Sequence, residues 1–159
     1  MPIRRIDIAR KIAASHGFDL DDAVRVGGNY VPVTEHRGTA WISGQVPRIG
    51  STVVATGHVG QDLPLEAAQQ AAAVCALRAI AILEQVYGLD RVERVLKLGV
   101  FVQAAPGFTL LSEVADGASD LLAAVFGAQG THARTSVGVL QLPKNAAVEL
   151  DLTVALAEG

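Results

Sequence analysis

The run from Leu65 to Tyr87 constrains this chain more than any other stretch. It is nearly all Ala, Val, Leu and Ile, interrupted by Gln69, Gln70, Arg78, Glu84 and Gln85. Pro64 falls in the first turn, where a missing N–H costs nothing, and Glu66 complements the positive helix end. Gly88 is the residue expected just past the C-terminus. A helix this apolar must be covered over most of its girth. The remainder of the chain therefore has to supply a sheet and further helices to enclose it. No stretch of eighteen uninterrupted apolar residues occurs, so a core helix is expected and a membrane span is not.

Half of the residues are hydrophobic, 18% are charged, and mean hydropathy is +0.36. Such a composition fills a core and excludes a disordered linker. A length of 159 residues suits one domain, 1–159, with 1–29 as an N-terminal extension. Thirteen basic against sixteen acidic side chains give a net charge of -3. A weakly acidic domain lacks the positive field that phosphate backbones demand, so no nucleic-acid partner is expected. The sole cysteine, Cys75, can form neither an internal disulfide nor a cysteine-based metal site. Charges at Arg4, Arg5 and Asp7 stand where a secretory signal would need its apolar run, and the expected location is cytoplasmic.

Apolar spacing predicts a short helix over the first sixteen residues, stopped at Gly17, and an irregular approach over 17–29. Tyr30–Val33 and Thr39–Ser43 read as short strands joined by polar residues 34–38, and Thr52–Ala55 as another. After the long helix, Leu96–Val102 alternates as a strand and residues 109–126 carry one apolar stripe, so a second helix ends at Gly127. Val137 and Val139 pair in expectation with Val148–Leu156 as a C-terminal hairpin, turned at Leu142–Asn145. The order predicts an α+β fold: a mixed sheet with two helices on one face. The other face carries apolar residues with nothing of its own to cover them, which predicts an oligomer.

Four stretches resemble the YjgF/RidA family of reactive-imine deaminases, in its branch with a longer N-terminus. They are Asn29-Tyr30-Val31-Pro32, Ile42-Ser43-Gly44-Gln45-Val46-Pro47, Asp116-Gly117-Ala118-Ser119 and His132-Ala133-Arg134-Thr135-Ser136-Val137. Leu142-Pro143 and Val148-Glu149 follow in the same order and spacing. The resemblance implies a chorismate-mutase-like fold and a homotrimer with sites in the clefts between subunits. It also implies hydrolysis of 2-imino acids to 2-keto acids and ammonia, with no metal or cofactor.

Carried over residue by residue, the resemblance makes Arg134 the group that holds the substrate carboxylate. A planar, permanently charged guanidinium suits that task. It makes Glu149 the group that positions or deprotonates water. Tyr30, Ser43, Gly44 and Ser136 become substrate-binding positions, Gly44 through a backbone N–H. Ser136 stands where many relatives have cysteine. Asp116 stands where asparagine is common, and a carboxylate there repels the substrate, faces solvent or pairs with a neighbour. Each position has a plainer reading as well: Arg134 in a surface ion pair, Glu149 in solvent, Tyr30 in packing, Ser43-Gly44 in an ordinary turn. The four histidines lack ligand spacing, so no metal is expected. Two other functions stay open: a non-catalytic trimer that binds a small carboxylate such as a keto acid, and an endoribonuclease, against which the charge argues.

Overall fold

The computed structural model describes residues 2–159. Helix α1 (Arg5–Ser15) opens the chain, and Gly17 at φ +67° ends it. The Gly17 N–H donates to the Ala14 carbonyl and the Phe18 N–H to that of Ala13, a Schellman arrangement with Phe18 buried behind it. Residues 17–32 then run irregularly, pinned by Gln85 Nε2, which donates to the carbonyls of Leu20 and Asp22.

Strands β1 (Val33–His36) and β2 (Thr39–Gln45) form a hairpin. Its two-residue turn, Arg37-Gly38, has positive φ at both positions, the geometry that matches strand twist. The first strand thus starts three residues later than the sequence suggests. Pro32 has no N–H for a ladder, and Ser43 takes the Val31 and Pro32 carbonyls instead, so Tyr30–Pro32 lies beside the sheet without joining it. Short strands β3 (Arg48–Ile49) and β4 (Thr52–Val53) make a separate small ribbon.

Helix α2 (Leu65–Val86) is buried almost continuously from Ala71 to Leu83. It is long and apolar enough to cross a membrane, but here it is the core element enclosed by the sheet, α1 and α3. Pro64 stands at its N-cap, one position earlier than expected, and Gly88 (φ +83°) follows its C-cap. Strand β5 (Val92–Gln103) leads to helix α3 (Leu111–Phe126), and Gly127 (φ +61°) stops α3. Gly117 sits where α3 touches the Gln69 backbone of α2, a contact that leaves no room for a side chain.

Strands β6 (Ala133–Val139) and β7 (Val148–Leu156) complete a five-stranded sheet ordered β1-β2-β7-β5-β6. The expected β6–β7 hairpin does not form. Because β6 follows β5 through a helix, it pairs parallel to β5, while β7 takes β5's other edge antiparallel. The connection between β6 and β7 must cross the end of β5, and buried Gln103 holds it there. Its Oε1 accepts from the Leu142 N–H, and its Nε2 donates to Asn145 Oδ1 and the Gly57 carbonyl.

This is the expected mixed α+β fold, with α2 and α3 against one sheet face and α1 added outside them. Leu98, Val100, Leu150, Leu152 and Val154 point into that helical layer and are fully buried. The opposite face presents Trp41, Lys97, Phe101, Val137, Glu149 and Asp151. Trp41 is 45% exposed and Val137 39%, so apolar surface is left there among polar groups.

Candidate functional site

The seven expected site residues fall into two groups, one around Glu149 and one around Arg134, and the strand registers put those two residues on opposite faces of the sheet. Glu149 is opposite Phe101 on the open face, whereas Arg134 is opposite Leu98 on the helical face. Strand β5 separates the two strands that carry them.

The first group is Tyr30, Ser43, Gly44 and Glu149. Strand β2 changes register between Ile42 and Gln45, and the irregularity turns Gly44 toward β7. A Cβ on Gly44 would run into Glu149 Oε1, so glycine is what lets the backbone approach the carboxylate. Ser43 faces the other way: its Oγ donates to the Val31 carbonyl at 2.6 Å and fixes the segment that carries Tyr30. Ser43 is thus a brace here. Tyr30 is half exposed and, with Gly44 and Glu149, lines a cavity of about 270 Å³. Arg25, Arg48, Arg78 and Lys144 line the same cavity.

Glu149 is only partly exposed and has no ion-pair partner among the described residues. Burial raises its carboxyl above the ordinary range, and neighbouring Asp151 raises it further. Burial acts on Asp151 in the same direction, with the Gly99 backbone N–H opposing it. A carboxylate whose charge is poorly solvated is a better proton acceptor near neutral pH than a free one.

The second group is Arg134, Ser136 and Asp116. Arg134 Nη1 donates to Asp116 Oδ1 at 2.8 Å and to Ser119 Oγ at 3.0 Å. Its Nη2 donates to Ser112 Oγ at 2.6 Å and to the Ser112 carbonyl at 3.2 Å. Asp116 is half exposed and pairs with Arg134. His132 extends the cluster: Nδ1 lies 2.6 Å from the Gly130 carbonyl and Nε2 2.9 Å from Ser119 Oγ. A carbonyl only accepts, so Nδ1 donates, and in the neutral ring Nε2 accepts from the serine. Ser136 stands two residues along on the same face as Arg134, partly exposed.

Sequence reading passed over the basic residues beside Glu149. Arg78 carried a signal, because a lone cation in the middle of an apolar helix has to be explained by something it faces. Arg25, Arg48 and Lys144 come from an irregular segment, a two-residue strand and a turn, and only the fold brings them together. Cys75 is buried, with its thiol pushed up by desolvation, which suits packing. Among the described residues no three His, Cys, Asp or Glu side chains gather as metal ligands.

A family profile described as "YjgF/chorismate mutase-like, putative endoribonuclease" matches residues 9–156. The Trypanosoma cruzi protein TCP17 is 44% identical over 142 residues, covering 88% of this chain and 89% of that protein. A crystal structure of Atu1372, a protein of unknown function from Agrobacterium tumefaciens, is 36% identical. It superposes with a TM-score of 0.87, covering 97% of this chain and 96% of that one. A Shewanella oneidensis structure, also designated a "putative endoribonuclease", is 27% identical with a TM-score of 0.86, covering 93% and 99%.

Proposed function

Since this chain belongs to the YjgF/chorismate mutase-like family, we propose that it hydrolyses 2-imino acids to 2-keto acids and ammonia. The observation that carries this reading is Glu149, a half-buried carboxylate in no ion pair among the described residues, pressed against the Gly44 backbone in a cavity shared with Tyr30. In this reading Glu149 accepts a proton from water as the water oxygen bonds to the C=N carbon. Attack on the protonated imine gives a neutral tetrahedral carbinolamine. The proton held on Glu149 then passes to the amine, the C–N bond breaks, and ammonia leaves as the carbinol hydroxyl returns a proton to Glu149 and the carbonyl forms. The Gly44 and Tyr30 side of the cavity orients the substrate.

Arg134 supplies the grip on the substrate carboxylate. Its Nε is free of the contacts that occupy Nη1 and Nη2, and its Asp116 and Ser112 contacts lie at the exposed side, where an incoming oxygen can displace them. Because Arg134 and Glu149 lie on opposite faces of one sheet, the reading requires that the arginine group of one copy meet the glutamate group of another. A homotrimer with sites in its intersubunit clefts meets that requirement.

The test is a coupled assay in which an amino-acid oxidase generates imino acids and semicarbazide traps whatever survives. Wild-type protein is expected to deplete the trapped product, and Arg134→Ala to leave it undiminished. Glu149→Gln is expected to keep keto-acid binding and lose turnover. The Asp116–Arg134 pair favours a second reading, a trimer that binds a small carboxylate without turnover, because the arginine must exchange partners with α3 on binding. Consumption of no imine, short, branched or aromatic, by a protein that still binds keto acids would select it.

A further inference from the structure

Arg78 is 7% exposed at the centre of α2, between Leu77 and Ala79, which are fully buried. Its Nε donates to Gln45 Oε1 at 3.1 Å and its Nη1 to the Arg48 carbonyl at 3.2 Å. Both acceptors are neutral, and no ion pair joins Arg78 to an acid among the described residues. Desolvation, with repulsion from the Arg48 guanidinium, pushes Arg78 below the usual arginine range. The Nε of Arg48 is itself buried with no hydrogen-bond partner. These are two independent signs of a missing anion, since buried cations are normally paired and buried N–H groups normally bonded.

Both side chains, with Arg25 and Lys144, line the Glu149 cavity and also an adjoining recess of about 770 Å³. The recess is walled by Phe18 and the 22–25 segment of the N-terminal extension. Asp19 and Asp22 lie on that wall, but no ion pair joins them to the four cations among the described residues. The four cations converge on one concavity from four separate parts of the chain.

We propose that this recess seats a second anionic group of the ligand, so that the site takes 2-imino or 2-keto acids whose side chain ends in a carboxylate or phosphate. The reaction named in this inference rests on the imine-hydrolysis reading; the anion seat does not. With the first carboxylate held at Arg134 of a neighbouring copy and the reacting carbon at Glu149, Arg48 and Arg78 face the far end of the molecule. Guanidinium groups suit either oxyanion, by paired N–H donation.

Calorimetric titration at low salt tests it with 2-oxobutyrate, 2-oxoglutarate and inorganic phosphate. Wild-type protein is expected to bind 2-oxoglutarate about tenfold or more tighter than 2-oxobutyrate. Arg48→Gln, and separately the Arg25→Gln/Lys144→Gln pair, should erase that preference while leaving 2-oxobutyrate binding unchanged. Arg78→Met should do the same if it folds, and the other variants carry the test if it does not. Phosphate binding that Arg48→Gln abolishes would mark the seat as phosphate-type and support the proposal. Equal affinity for the two keto acids together with no phosphate binding, or a preference that survives Arg48→Gln, would overturn it. The two readings fail separately. Turnover of imines with no preference for acidic side chains removes the anion seat alone, and Arg48-dependent 2-oxoglutarate binding without turnover removes the hydrolase alone.

Discussion

Glu149 combines a functional opportunity with a folding cost. Its carboxyl is raised by burial and by Asp151, so the folded state holds the proton more tightly than the unfolded chain does. The stability this gives is fully present below the unfolded value, near 4.5, and is lost as pH rises through the folded one. Glu149→Gln cannot ionise. It is therefore expected to melt above wild type at pH 7, with the gap closing below pH 4.5. Thermal melts across that range check the sign, and a variant less stable at pH 7 would refute it. Gly44→Ala makes the complementary change, pushing a methyl at the end of the Glu149 side chain. That end can swing away, so the melting temperature should fall by only a few degrees while imine turnover falls at least about tenfold. The sequence made Glu149 and Gly44 visible through the motifs that carry them, but not the contact between them, which depends on a register shift in β2.

Among the elements, α2 was the most legible because its apolarity leaves a single way to be buried. Helix α3 was legible from its stripe, and the final strand from strict alternation. The β6–β7 pairing was not, because alternation says which face a strand buries and nothing about which strand lies beside it. The decisive fact was the helix between β5 and β6, which makes a parallel pair and leaves β5's other edge to β7. Two variants probe the α3 interfaces. Gly117→Ala places a methyl against the Gln69 backbone, which no rotamer change relieves. It should cost about 2–4 kcal/mol and lower the melting temperature by roughly 5–15 °C. Asp116→Asn should scarcely alter the melt, because a half-exposed ion pair contributes about 0.2–1 kcal/mol. It removes a negative charge beside Arg134, so 2-oxobutyrate should bind more tightly by calorimetry. Weaker binding would mean that Asp116 holds the arginine in its working position.

At the scale of the whole molecule, the separation of Arg134 from Glu149 limits how copies can meet. A two-fold contact brings the arginine of one copy to the glutamate of another only if one continuous patch carries both, because across it residue i meets j and j meets i. A head-to-tail contact needs no such patch, and if it closes it makes a ring. The exposed Trp41 and Val137 on the open sheet face give such a contact apolar surface to bury. A closed ring of three predicts a light-scattering mass about three times 16.5 kDa. Trp41 is the sole tryptophan, so its emission should shift to the red when the ring is diluted apart. The sharper prediction concerns mixtures. Arg134→Ala and Glu149→Gln should each be inactive alone. Unfolded together in equal amounts and refolded, they assemble at random, and a cleft is intact when its arginine comes from the second variant and its glutamate from the first. That holds for about a quarter of the clefts, so about a quarter of wild-type imine turnover should return. A site built within one chain would return none, because every chain in the mixture lacks one of the two residues.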